Sequence, residues 1–194
     1  MMFTSVRGII EETRSFRTFD ETRPVEYDTM LQFVDTARLC ASAANMQPLK
    51  YKICSERDET EKILFHTKWA GFLKDTKLPP DNAHPTGFIV MCHDKSVCDI
   101  TPISCIDVGI AAQTIMMSAT ERGYGGCMIG SFDKVKIAEL LDLPDSLEPV
   151  LLLALGTPDE TVFISNPKDG DVKYFRDDAG LHFVPKRPLK DVVI

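Results

Sequence analysis

Long apolar runs and an excess of positive charge are both missing from this sequence. The formal net charge is -7 at pH 7, so a general attraction to nucleic acid or to an anionic membrane surface is not expected. Even the apolar stretch at residues 150–155 stops at Gly156, far short of the roughly 20 residues that a membrane helix needs. No basic and apolar signal sequence begins the chain. We therefore expect a cytoplasmic protein without nucleic-acid or membrane partners.

Tight cysteine pairs and nucleotide-binding loops are missing as well. The six cysteines, at positions 40, 54, 92, 98, 105 and 127, lack the two-residue spacing of metal sites. Cys92, Cys98 and Cys105 could ligate an iron–sulfur cluster, but their wide gaps favour buried thiols in a reducing cytoplasm. No G-x-G-x-x-G or P-loop motif follows a predicted strand, which argues against an intrinsic dinucleotide-binding domain.

Histidine spacing does not indicate a catalytic or metal site either. The four histidines stand at positions 66, 84, 93 and 182, with no ligand spacing and no compelling Ser-His-Asp order. We interpret each of them as a surface or packing residue, and we predict no metal site.

Hydrophobic periodicity predicts five helices and five strands. The helices are expected at residues 4–15, from Asp28 as N-cap to about Ala41, at 59–74, at 104–122, and from Asp133 as N-cap through Leu141. The strands are expected at 51–55, 87–92, 149–155, 172–176 and 181–184, the last two forming a hairpin. Strands and helices do not alternate regularly, so the pattern favours one α+β domain over residues 1–194, with a sheet covered by helices.

Two segments are unusual for their apolar character. Residues 104–122 carry apolar side chains on nearly every face of the predicted helix, which places that helix in the centre of the fold. Residues 191–194 are strand-like but have no partner nearby in sequence. This last segment could pair with another subunit.

Basic residues cluster near both ends of the chain. Arg14, Ser15 and Arg17 stand near the start, while Lys186 and Arg187 stand between two prolines near the end. In an acidic protein, such clusters beside a hydroxyl group indicate one local anion, such as a phosphate. The other interpretation is that they are solvated surface residues, as most Arg and Lys residues are.

A glycine-rich segment follows the long apolar helix. Gly123, Gly125 and Gly126 permit positive φ angles or a close approach of the backbone to something flat. A helix C-cap followed by a turn is the alternative interpretation.

Six short motifs, taken in order, resemble the FMN-dependent nitroreductase family over almost the whole chain. They are RSFRTFD at 14–20, SAANMQP at 42–48, DVGIAAQ at 107–113, GYGG at 123–126, LGTP at 155–158 and PKRPL at 185–189. Each motif alone is modest, but their order is specific. The resemblance implies a central, mainly antiparallel sheet covered by helices, and a homodimer in which the C-terminal tail is exchanged between subunits.

The resemblance also implies two FMN sites at the subunit interface. Arg14, Ser15 and Arg17 would bind the phosphate, the ribityl chain and the pyrimidine edge, with Arg17 also tuning the ring. Lys186 and Arg187 would return to the phosphate.

Two further motifs would complete each FMN site. The loop residues Ser42, Ala43, Asn45 and Gln47 would come partly from the partner subunit. Gly125 and Gly126 would lie beside the isoalloxazine ring, with backbone N–H groups near its reactive nitrogen.

The activity that the resemblance implies is hydride transfer from NADH or NADPH, through FMN, to a small acceptor in a ping-pong sequence. Nitroaromatics, quinones, enones and free flavins are the candidate acceptors. FMN would carry the chemistry, so no catalytic side chain is expected. Three alternatives stay open: an FMN-binding electron carrier reduced by a protein such as ferredoxin, a flavin-fragmenting or dehalogenating relative, and a protein without flavin.

The chain departs from the family pattern around its second motif and in its lid. Ala41 and Leu49 stand where relatives often have Pro and Trp, which leaves the acceptor and the efficiency of nitro reduction open. Only residues 56–85 are available for a substrate lid. In that segment Trp69, Phe72 and Leu73 either line the cleft or pack in the core.

Overall fold

The structure is a computed structural model that describes residues 5–73 and 76–194. Within these ranges the helices are α1 (Val6–Glu12), α2 (Tyr27–Ala37), α3 (Arg57–Phe65), α4 (Pro102–Glu121) and α5 (Lys134–Leu140). The strands are β1 (Leu49–Cys54), β2 (Gly87–Asp94), β3 (Gly125–Ile129), β4 (Leu147–Gly156), β5 (Val162–Ser165), β6 (Phe175–Arg176) and β7 (His182–Pro185). Short 3-10 turns occur at Ala43–Asn45 and Leu189–Asp191.

The larger sheet has the strand order β1-β2-β4-β3, and all its neighbours are antiparallel. Its central strands bury both faces because helices cover both sides. Met91 and Leu153 pack in a core cluster with α2 and α4. Val90 and Leu152 face the opposite way, into a second cluster with α3 and α5. The α+β class and the mainly antiparallel sheet predicted from the sequence are confirmed.

Helix α4 is the longest helix in the described residues. Thr101 caps it, since its hydroxyl accepts the Ser104 N–H while the Ser104 hydroxyl accepts the Thr101 N–H. By length and composition α4 could cross a membrane, but its buried residues pack on the sheet, as in the core helix of a globular domain. The opposite side is exposed, and Ile106 leaves 60% of its surface open. The predicted central position of this helix therefore holds for one side only, because the other apolar side is open in the single chain.

The smaller sheet has the order β5-β7-β6. Strands β6 and β7 form the predicted antiparallel hairpin, closed by an N–H of Asp177 that donates to the Leu181 carbonyl at 3.1 Å. β5 lies parallel to β7 and was not predicted. Phe163, Phe183 and Phe175 stack in one row across these strands.

Several predicted boundaries are wrong. The N-cap of α2 is Glu26, and Asp28 lies in the first turn. The helix expected at 59–74 ends at Phe65, because Thr67 and Lys68 pair with the segment 131–132; the expected end at residue 74 lies outside the described residues. Residues 191–194 form no strand in the single chain.

Candidate functional site

One cavity of about 330 Å³ takes residues from both ends of the chain. Arg14, Ser15 and Arg17 line it from the N-terminal segment, and Lys186 lines it from the C-terminal segment. The remaining lining residues are Thr13 at the end of α1, Gln113 and Met116 on α4, Met128 on β3, Tyr174 before β6, and His182 and Val184 on β7. The structure therefore brings the two basic clusters together.

The N-terminal basic residues are placed by the pairing of their backbone with β3. Thr13 ends α1, and its hydroxyl donates to the Ile9 carbonyl at 2.6 Å. Beyond it, Ser15 forms a parallel bridge with Gly126, and the Phe16 N–H donates to the Gly126 carbonyl at 2.9 Å. This short pairing fixes the backbone on either side of Ser15 and Phe16, and with it the Cα positions of Arg14 and Arg17.

Gly125 and Gly126 lie inside β3 and do not line the cavity. A Cβ on Gly125 would stand 2.5 Å from the ring of Phe16, and a Cβ on Gly126 would overlap the carbonyl oxygen of Ala154. Close packing of the protein on itself thus accounts for both glycines. The helix C-cap and turn occur at Gly123, whose φ is +80°, and they end before Gly125. The contact of Gly125 and Gly126 with a flat ligand stays a prediction.

Arg14 is partly buried and only partly satisfied. Its Nη2 donates to the Ile10 carbonyl at 2.6 Å, while its buried Nε has no partner among the described residues. Desolvation lowers the pKa of Arg14, against the opposing effect of Glu12 and Glu11. The guanidinium stays charged, as Arg does in proteins, so it presents an unpaired cationic N–H to an anion.

Arg17 is buried, with a guanidinium lying 4.8 Å from the ring centroid of Tyr174. Its Nη1 donates to the Ser15 carbonyl at 3.2 Å, and its buried Nε has no partner in the described ranges. The aromatic face stabilises the cation by about 0.5–2 kcal/mol. A positive charge is therefore held against the cavity by packing.

A buried carboxylate, Glu160, lies behind this cation. It accepts hydrogen bonds from the backbone N–H of Arg17 and, at 2.6 Å, from Nη2 of Arg176. Burial would raise the pKa of Glu160, but the effects of His182, the Arg17 N–H and the Arg176 charge outweigh it, so that pKa is lowered. Glu160 is thus held as a carboxylate, in a position that sequence analysis did not single out.

The second predicted motif forms a separate loop. The Ser42 hydroxyl donates to the Asp107 carboxylate at 2.6 Å, and the Ala43 N–H donates to the same carboxylate. The Gln47 N–H donates to the Ser42 hydroxyl, and the Gln47 amide donates to the Asn45 carbonyl. None of the four predicted residues lines the cavity of the same chain.

Of the two C-terminal basic residues, Lys186 lines the cavity and Arg187 does not. The backbone N–H of Lys186 donates to the Ser165 carbonyl at 2.9 Å, which continues the β5–β7 pairing and sets the side chain on the cavity wall. Arg187 is exposed and does not line the cavity.

Of the four histidines interpreted as surface or packing residues, His182 has a position that the sequence did not indicate. This side chain is wholly buried and lines the cavity. Strand alternation could have identified it, since residues 182, 184 and 186 share one face of a strand and Lys186 was already a candidate. His93, by contrast, packs in the interior, with Nε2 2.8 Å from the Cys98 carbonyl oxygen.

The sequence left two placements open: the cysteines as cluster ligands or buried thiols, and the aromatic residues of the lid segment as cleft or core residues. Cys92 is buried as expected, whereas Cys105 is exposed. Trp69 packs against the second core cluster. Phe72 meets Tyr174 edge-on at a centroid distance of 5.2 Å, so the lid segment contacts the cavity wall.

The fold is of the α+β class, and Arg14, Arg17 and Lys186 line one cavity in it. A sequence model of the nitroreductase family matches residues 10–157. The chain therefore belongs to the nitroreductase family.

Known relatives agree with this assignment. An NADPH-dependent oxidoreductase of Staphylococcus aureus (strain MRSA252) is 37% identical over 60 residues, which are 30% of this chain and only 24% of the relative. A candidate NAD(P)H:FMN oxidoreductase of Staphylococcus epidermidis ATCC 12228 superposes with a TM-score of 0.72 and 18% identity, covering 100% of this chain and 97% of the other. A candidate nitroreductase of Exiguobacterium sibiricum 255-15 in complex with FMN superposes at 0.68 with 19% identity, covering 100% and 98%. At these identities the two structures show the shared fold.

Proposed function

We propose that this protein is an FMN-dependent oxidoreductase that passes hydride from NADH or NADPH to a small acceptor. The observation that carries the proposal is the meeting of Arg14, Arg17 and Lys186 on one cavity in a protein with a net charge of -7. The names of the relatives, with NAD(P)H as donor and FMN as bound group, support the same direction.

The residues of the cavity fit FMN. Its volume of about 330 Å³ lies in the range of roughly 300–1,000 Å³ that small-molecule sites have. The unpaired N–H groups at Arg14 and Arg17 are suited to phosphate and carbonyl oxygens, which accept charge-assisted hydrogen bonds. When bound, FMN supplies the hydride-carrying ring, and the side chains hold and orient it.

We assign separate tasks to the cations. Arg14 and Lys186 would hold the phosphate, with Ser15 near the ribityl chain. Arg17 would face the pyrimidine edge of the ring, where its charge favours reduction. At an effective dielectric of 20, a unit charge about 4 Å away contributes about 4 kcal/mol before desolvation is subtracted.

A homodimer would complete the site. The loop with Ser42 and Gln47 lies away from its own cavity, held by Asp107, and Asp107 stands nine residues before Met116 on α4, or about 13 Å along a helix. The exposed apolar side chains of α4 and of the tail support an interface between copies. Residues 1–194 would form one FMN-binding domain, because residues on both sides of 157 line the same cavity. Six free cysteines support a cytoplasmic location.

Purified protein tests the proposal. It should be yellow, hold FMN, and lose its flavin absorbance when NADH or NADPH is added without oxygen. Arg14→Ala should weaken FMN binding at least about ten-fold, because a hydrogen bond to a charged group is lost. Lys62→Ala, which removes one positive charge from an exposed position on α3, should leave FMN affinity unchanged.

Other outcomes would redirect the assignment. A colourless protein that FMN does not stabilise contradicts it. Bound flavin that neither nucleotide bleaches points to an electron carrier reduced by a protein partner.

A further inference from the structure

His182 is a buried imidazole whose ring nitrogens make no well-formed hydrogen bond in the described part of the chain. Its side chain has no exposed surface, and neither ring nitrogen has a partner within residues 5–73 and 76–194. Leaving a buried polar group unpaired costs about 1–3 kcal/mol. Because His182 also lines the cavity, a ligand there is the natural partner for it.

Glu160 determines which nitrogen is available. Nδ1 of His182 lies 3.5 Å from Oε2 of Glu160, an ionic contact that is too long for a good hydrogen bond. The backbone N–H of Arg17 and the guanidinium of Arg176 hold the carboxylate in place. With Nδ1 facing a fixed carboxylate, Nε2 is the nitrogen left for a ligand.

The position of His182 along β7 indicates which part of a flavin it would meet. His182 in β7 and Lys186, directly after β7, lie on the same face of the strand and its extension. They are four residues apart, which is roughly 13 Å along a strand. Lys186 lies at the end of the cavity that we assign to the phosphate. His182 is therefore at the far end, beside Tyr174, whose ring also carries Arg17.

We propose that Nε2 of His182 forms a hydrogen bond with the pyrimidine edge of the bound flavin, with Glu160 as the positioning residue at Nδ1. This inference rests on the proposed function. It adds an imidazole to the Arg and Lys side chains that we assign to the site.

The imidazole suits both kinds of group on that edge of a flavin, which carries an N–H between two carbonyl groups. When the ring proton lies on Nδ1 and faces Glu160, Nε2 accepts a hydrogen bond from the flavin N–H; when it lies on Nε2, the ring donates to a carbonyl oxygen. Glu160 and the ring of Tyr174 are the side chains that contact the imidazole.

Riboflavin is the suitable probe, because it has the ring but lacks the phosphate that Arg14 and Lys186 would hold. For the full-length protein, His182→Leu should raise the riboflavin Kd measured by fluorescence quenching about five-fold, as expected for the loss of one hydrogen bond. His84→Leu is the matched control, since His84 pairs with Glu61 at 2.9 Å outside this cavity, and it should leave this Kd unchanged. An equal Kd in both variants would contradict the proposed contact.

Imidazole NMR signals of the wild-type protein give a test that does not depend on any variant folding. The signal assigned to His182 should shift with riboflavin and with FMN, but not with inorganic phosphate. Flavin binding that leaves this signal unmoved, or a shift with phosphate alone, would overturn the inference while FMN binding stands. No flavin binding by the wild type would overturn the proposed function and this inference together.

Discussion

Gly126 has no room for a side chain, since a Cβ would overlap the carbonyl oxygen of Ala154 on the neighbouring strand. Gly126→Ala must therefore displace the backbone of β3 or β4, and we expect a loss of about 2 kcal/mol in the free energy of unfolding, as for other overpacked core sites. Urea unfolding measures it. Gly130→Ala, where a Cβ meets nothing within 4 Å, should change stability little; equal losses for both would refute the packing explanation.

The role of a single residue could be predicted where its side-chain type and its neighbours in sequence indicate that role. Arg14, Arg17 and Lys186 stood out because charge and spacing suggested an anion, and all three line the cavity. Glu160 and His182 did not stand out, because a lone Glu or His is usually a surface residue. Strand alternation places His182 on the same face as Lys186, but the burial of the Glu160 and His182 side chains depends on the tertiary structure.

At the scale of elements, the lid segment is attached to the cavity through one aromatic contact. The Phe72 N–H donates to the Tyr174 hydroxyl at 3.3 Å, and the two rings meet edge-on. Tyr174 in turn lines the cavity and carries Arg17. The position of the lid and the position of a cation at the site are thereby linked.

Tyr174→Phe tests this link, because it removes the hydroxyl and keeps the ring. We expect amide exchange at Phe72 to accelerate about five-fold, as for the loss of one hydrogen bond, with the unfolding midpoint almost unchanged. Hydrogen exchange of the segment 67–73 measures it. Tyr124→Phe, whose ring packs edge-on against Phe33, is the control; identical exchange in both variants would show that the hydroxyl does not restrain the lid.

Helices and strands with a clear hydrophobic pattern were predicted well. Strands that form only by pairing with a strand far away in the sequence were not. The apolar run of β2 identified a strand with both faces buried, and Asp133 caps α5 as expected. No strand is predicted at β3 because glycine has little intrinsic strand preference, yet pairing with β4 makes this segment a strand. β5 was missed because it pairs in parallel with β7 across a long connection.

At the scale of the whole molecule, the C-terminal tail is apolar and exposed in the single chain. Leu189, Val192 and Val193 each leave at least 60% of their surface exposed. Burying this apolar surface against a partner would contribute about 25 cal/mol per Å² to the free energy of association. Together with the exposed face of α4, the tail is the surface expected to lie between subunits.

Truncation after Arg187 should therefore weaken the proposed homodimer at least about ten-fold, a change equal to about 1.4 kcal/mol of lost burial. Sedimentation velocity over a concentration series measures the dissociation constant. Lys190→Ala, which keeps the apolar tail, should dimerise as the full-length protein does. A truncated protein that is just as dimeric would show that the tail does not hold the subunits together.

The sequence by itself determined the α+β class, the family and the residue types for an anion site. Composition, hydrophobic periodicity and the order of the motifs are properties of the chain that do not depend on its folding. Only the tertiary structure decided that Arg14 and Lys186 share one cavity, that packing explains Gly125 and Gly126, and that Glu160 holds Arg17 and faces His182. These are contacts between residues far apart in the chain, and their energies depend on which surfaces the fold buries together.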